Sequence, residues 1–85
     1  MLSPPVYKIT APLMGTYYDK PGPGEKPFVL IGQKIKASDV VCVIESMKLF
    51  TEIRSDQNGT LKKILVENEE AVMKNQDLME IELDE

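Results

Sequence analysis

From Met79 to the end of residues 77–83, apolar and acidic side chains alternate strictly. Successive side chains of an extended strand point to opposite faces, so Met79, Ile81 and Leu83 share one face and Glu80 and Glu82 a wet one. Shorter stretches of β-branched and aromatic residues recur upstream, at 6–9, 15–18, 40–44, 49–53 and 60–66. Turn-forming residues separate them, most densely at Ser55-Asp56-Gln57-Asn58-Gly59. No window carries a sustained helical period. The pattern predicts an all-β domain of short strands, a flattened β-barrel or sandwich.

The two halves echo each other. Residues 35–45 lie over 72–82 at a constant offset of 37, matching Ile35 with Val72, Val41 with Leu78, Cys42 with Met79, Ile44 with Ile81 and Glu45 with Glu82. Gly15-Thr16 matches Gly59-Thr60 at an offset of 44, so the first half holds seven extra residues between its Gly-Thr and Ile35. They fall at 19–27, where three prolines and two glycines in nine residues exclude an interior strand and predict a loop. Two alike β half-units make a quasi-symmetric domain, with the hairpin at their junction at one end and the chain termini at the other.

That hairpin is the polar interruption Glu45-Ser46-Met47-Lys48-Leu49. It sets Met47 and Lys48 at the tip and holds the Lys48 amine in solvent. Phe50 alternates away from Leu49, Thr51 and Ile53, which are expected to face inward, and so is expected to be partly exposed.

Charge and composition narrow the function. The net charge of −4 is uneven, +1 over residues 1–45 and −5 over 46–85. It leaves no electrostatic footprint for nucleic acid or an anionic membrane surface. A β-barrel that binds single strands needs basic grooves interleaved with aromatics, which Tyr7, Tyr17, Tyr18, Phe28 and Phe50 do not supply in this acidic chain. The sequence has no histidine, the commonest general base and metal ligand, and no nucleophile with a partner base, so no catalytic or metal residues are assigned. Cys42, the sole cysteine, lies in an apolar run and reads as a buried small hydrophobe in a reducing compartment, expected to be the cytoplasm, with an organelle left open if the chain is a fragment. No segment is apolar over the length that spans a bilayer. Ser3-Pro4-Pro5 reads as the stub of a proline-rich linker over 1–5, followed by one domain over 6–83 and a tail at 84–85.

Glu45-Ser46-Met47-Lys48-Leu49 closely resembles the Glu-Ala-Met-Lys-Met/Leu signature of biotinyl domains. Ala11-Pro12, Gly15-Thr16, Gly32-Gln33 and Gly59-Thr60 also stand where the biotin carboxyl carrier family of bacterial and plastid acetyl-CoA carboxylases has equivalents. The loop at 19–27 resembles the protruding thumb of that subclass. The resemblance implies a barrel-sandwich hybrid of two quasi-symmetric four-stranded antiparallel sheets. It implies biotin joined through an amide to Lys48, and recognition of Glu45, Ser46, Met47 and Leu49 by a biotin protein ligase. It further implies a non-catalytic carrier that takes CO₂ from biotin carboxylase to carboxyltransferase, making malonyl-CoA for fatty acid synthesis. The thumb residues are then Lys20, Pro21, Gly22, Pro23 and Gly24.

Three positions depart from the family pattern: Ser46 stands for alanine, Leu49 for the second methionine, and Lys20 for a thumb threonine whose hydroxyl meets the biotin ureido group. A lysine there donates a hydrogen bond but accepts none. Glu45 fits either a ligase-orienting role or the wet face of its strand, like its repeat partner Glu82. The alternatives are the carrier of another biotin-dependent carboxylase or decarboxylase, an unmodified protein-interaction module, and a lipoyl carrier. A lipoyl signature has Asp where Met47 stands.

Overall fold

The β-patterned stretches are all extended in the computed structural model, which describes residues 4–84. The expected linker and tail therefore lie partly outside the described residues, at 1–3 and 85. Eight strands run in order: β1 Val6–Thr10, β2 Gly15–Tyr18, β3 Lys34–Ile35, β4 Val40–Ser46, β5 Leu49–Arg54, β6 Gly59–Ile64, β7 Ala71–Val72 and β8 Asp77–Leu83. The strand expected over 60–66 ends at Ile64, and Val66 turns into the core from outside it.

They form two four-stranded sheets, ordered β1-β8-β6-β3 and β5-β4-β2-β7, with every pairing antiparallel. Each strand of one sheet has its counterpart four strands away in the other. The half-units therefore interleave, each sheet taking two strands from each half, so neither half buries a core alone. Among the described residues no ladder joins the two sheets, so they form a sandwich and not a closed barrel.

The repeat extends to irregularities. In β4 the pairing with β5 skips Val41, and in β8 the pairing with β1 skips Leu78. Each bulge sets two successive residues inward, Val41 and Cys42 in one strand, Leu78 and Met79 in the other, which is why the alternation in β8 begins only at Met79. Two glycines mark the closest approaches: a Cβ on Gly15 would overlap the Glu45 carbonyl oxygen, and one on Gly59 the Glu82 carbonyl oxygen. The side chains of Asp39 and Gln76 accept the backbone N–H of Lys36 and Met73 at 2.9 Å, closing equivalent turns.

Tyr17, Ile35, Val41, Cys42, Ile44, Leu61, Val72, Leu78, Met79 and Ile81 fill the space between the sheets. Burial pushes the Cys42 thiol up to about 12, so it packs as a neutral small hydrophobe. The Leu83 N–H donates to the Pro5 carbonyl and the Asp84 N–H to the Asn58 carbonyl, which gathers Pro5 and Asp84 at one end. The β4–β5 turn stands at the other end with the connections at 11–14 and 73–76, joined where the Asn75 N–H meets the Ala11 carbonyl.

Candidate functional site

The β4–β5 ladder runs to the pair Ser46 and Leu49, so Met47 and Lys48 alone make the turn. Their φ angles of 52° and 66° place both in the left-handed region, as a type I′ turn demands. Asn-Gly is the usual solution because a Cβ is strained there, by roughly 1–2 kcal/mol per residue. The antiparallel ladder on both sides holds the turn in that conformation. The side chains of Met47 and Lys48 consequently project beyond the sandwich, and both residues are exposed. The ion pairs found among the described residues all use other cations, so the Lys48 amine is free for acylation without breaking one.

Ser46 is half-buried at the end of β4. Leu49, expected inward, is exposed because it closes the turn past the end of the core; Thr51 is half-buried and Ile53 buried. Phe50 is exposed, as its alternation predicts.

Glu45 lies on the outer face of its sheet and accepts a hydrogen bond from the Tyr18 hydroxyl at 3.1 Å. That bond pushes the Tyr18 ionisation up. The Tyr18 ring in turn tilts against Phe50, centroids 6.4 Å apart. The repeat partner Glu82 also lies on a wet face, 3.2 Å from the Lys62 ammonium. Glu45 thus has the expected strand position and, in addition, a partner that fixes its carboxylate.

The loop at 19–27 closes on itself where the Phe28 N–H donates to the Asp19 carbonyl at 2.9 Å. The Asp19 N–H is held by the Asn68 side chain at 2.9 Å, and Gly24 turns the tip with φ 79°. Between this loop and the outer sheet face runs a groove of about 470 Å³. Lys20, Pro21, Gly22, Pro23 and Gly24 border it on one side, and Tyr18, Val43, Phe50, Asn68 and Glu69 on the other. The Lys20 ammonium lies 3.9 Å from the Asp19 carboxylate. Lys48 does not line the groove but projects from the turn two residues before Phe50. The sequence pattern pointed to the loop at 19–27 and to Phe50. It missed Tyr18 and Val43, which the β2–β4 register brings to the same face, and Asn68 and Glu69, which the β6–β7 connection brings against the loop.

This arrangement fits a carboxylic acid carried as an amide on Lys48. The amine is exposed and has no ion-pair partner among the described residues, and the groove on the sheet face that carries Phe50 has both apolar and polar walls.

Residues 7–81 match the model of a family described as biotin-requiring enzyme. The chain is 46% identical over 77 residues to the biotin carboxyl carrier protein of acetyl-CoA carboxylase from Nostoc sp., covering 91% of this chain and 42% of that protein. It is 45% identical over 74 residues to the protein of that description from Porphyra purpurea, covering 87% and 47%. Among solved structures it is similar to a single-chain, multi-domain long-chain acyl-CoA carboxylase, with a TM-score of 0.80 and 19% identity over 100% of this chain and 8% of that one. It is also similar to the Kluyveromyces lactis urea carboxylase, with a TM-score of 0.76 and 22% identity over 95% of this chain and 6% of that one. At those identities the two structures speak to the fold alone. The chain spans less than half the length of these curated relatives.

Proposed function

Because this chain belongs to the biotin-requiring family of attachment domains, we propose that it is a biotin carboxyl carrier domain and that Lys48 is its attachment residue. The observation that carries this reading is the free, exposed amine of Lys48 at the apex of a strained two-residue turn. The resemblance of Glu45 to Leu49 to the biotinyl signature supports it.

The amine of lysine in water is protonated and a poor nucleophile at neutral pH. A biotin protein ligase therefore has to bring an activated acyl donor and remove the ammonium proton before the amide forms. Amidation removes one positive charge, taking the chain from −4 to −5. Biotin, when attached, supplies the ureido nitrogen that takes up a carboxyl group. The residues of this chain do the rest. The I′ turn holds the attachment nitrogen away from the sandwich, and the rigid ladder under it fixes where the tether starts. Tethering raises the effective concentration of the group at each site the domain visits. The groove beside it offers the apolar surfaces of Pro21, Pro23 and Phe50, and Lys20 adds a hydrogen-bond donor at its border.

Relatives described as carriers of acetyl-CoA carboxylase support biotin carboxylase and carboxyltransferase as the two enzymes served, with malonyl-CoA as the product. Glu45, Ser46, Met47 and Leu49 form the surface the ligase reads. The carrier domain covers 6–83, preceded by a linker, and works in the cytoplasm or an organelle.

Coexpression with a biotin protein ligase tests the reading. One biotinyl group is expected on the intact protein, together with avidin binding, and Lys48→Arg removes both. Labelling that persists in the variant assigns the site elsewhere.

A further inference from the structure

Four of the described residues are methionines, and they divide sharply. Met79 is fully buried, where a flexible apolar side chain fills core space. Met14, Met47 and Met73 are 58%, 92% and 62% exposed and gather at the end that bears Lys48. Met47 is in the turn itself. Met14 immediately precedes Gly15, in the strand that pairs with β4, and Met73 immediately follows Val72, the partner of Gly15.

The fold does not demand apolar residues at these places. At the opposite end Asn58 precedes Gly59, Lys36 follows Ile35, the partner of Gly59, and Asp84 follows Leu83 as Met47 follows Ser46. All three equivalents are polar. The same backbone frame therefore accepts polar groups, and the three thioethers answer to something outside the domain. An enzyme that reaches the Lys48 amine must enclose a two-residue turn, so it desolvates Met47 and lies along Met14 and Met73.

We propose that Met14, Met47 and Met73 form a methionine collar around Lys48 whose oxidation by peroxide closes the tip to the enzymes that act there; this rests on Lys48 being the attachment residue. In each step a thioether lone pair attacks the peroxide O–O bond. Sulfur gains one oxygen and is oxidised by two electrons, and the other peroxide oxygen leaves as water. The sulfoxide places a strong hydrogen-bond acceptor where an enclosing surface expects an apolar chain, and leaving it unpaired on burial is costly. Cys42 does not compete, because it is buried in the core and peroxide reacts with exposed thiolates. Methionine sulfoxide reductases reverse the change.

The experiment uses unlabelled domain, hydrogen peroxide removed by catalase, peptide mapping by mass spectrometry, and the initial rate of labelling by a biotin protein ligase. Sulfoxides are expected at positions 14, 47 and 73 and not at Met79. The labelling rate should fall by about tenfold or more and return after treatment with the reductases; in a Met14→Leu, Met73→Leu variant, which keeps Met47 and is compared with its own untreated rate, the loss on oxidation should be several-fold smaller. An unchanged rate with all three sulfoxides in place overturns the proposal, as does a loss in the double variant as large as in the parent. Absence of labelling before any peroxide is added refutes the attachment reading instead.

Discussion

Gly15 and Gly59 occupy matched positions, and alanine at each separates what the frame needs from what the tip needs. A Cβ on Gly15 would overlap the Glu45 carbonyl oxygen and lie 2.7 Å from Ile44 Cγ2; one on Gly59 would overlap the Glu82 carbonyl oxygen and lie 2.7 Å from Ile81 Cγ2. Carbon atoms in contact sit about 3.5–4.0 Å apart, so each substitution forces two paired strands apart by roughly 1 Å. Overpacking of that kind costs about 1–3 kcal/mol, partly offset by the roughly 0.4–1 kcal/mol gained when alanine stiffens the unfolded chain. Both variants should therefore lose a similar 1–2 kcal/mol or so, seen as a fall of roughly 5–15 °C in melting temperature. Their effects on labelling should differ. Gly15→Ala displaces β4 beside the Met47-Lys48 turn, and a shift of that size slows ligase labelling by about tenfold. Gly59→Ala displaces β8 at the opposite end and leaves the rate near that of the parent. Equal slowing in both variants, or stabilities that differ by more than the whole expected loss, would refute the reasoning.

Lys48→Arg should change stability by less than about 0.5 kcal/mol in thermal denaturation, since the side chain lies beyond the core; a large drop would make the residue structural. Deleting residues 20–25 should leave the circular dichroism and the cooperative melt intact, because the bond from the Phe28 N–H to the Asp19 carbonyl that closes the loop lies outside the deletion. Collapse of the fold would mean the loop carries core contacts. Alkaline pH should weaken the domain through Cys42, whose thiol is pushed from 9.0 to about 12 by burial. Below pH 9.0 both states keep the proton; above it the unfolded chain releases it first, so stability falls by about 1.4 kcal/mol per pH unit until the folded thiol also titrates. The buried Tyr17 hydroxyl, also pushed up by burial, adds to the loss at higher pH. Urea midpoints that stay flat from pH 8 to pH 11 would contradict this.

Much of the architecture was legible because the repeat constrains it twice. The matched Gly-Thr pairs and the offset between them located the loop at 19–27, and the break between two β runs located the Met47-Lys48 turn. What stayed hidden depends on long-range pairing. β3 and β7 have two residues each, too short for any alternation to register, and are strands only because Gly59 and Gly15 lie opposite Ile35 and Val72. The bulges at Val41 and Leu78 break period two where local patterning gives no warning. Leu49 was misplaced because alternation was carried to the last pair of the ladder, beyond the reach of the core. The groove escaped for the same reason: Tyr18, Val43 and Glu69 come from three separate segments. The turn itself lacked its usual signal, since neither Met47 nor Lys48 is the Asn or Gly that a I′ turn favours.

Tryptic peptide mapping of the protein from its native source tests the attachment site most directly. Trypsin does not cut after an acylated lysine, so the account predicts an uncleaved peptide spanning 37–54 that carries one biotinyl group on Lys48. Free cleavage after Lys48, with biotin found on another lysine or on none, would contradict it.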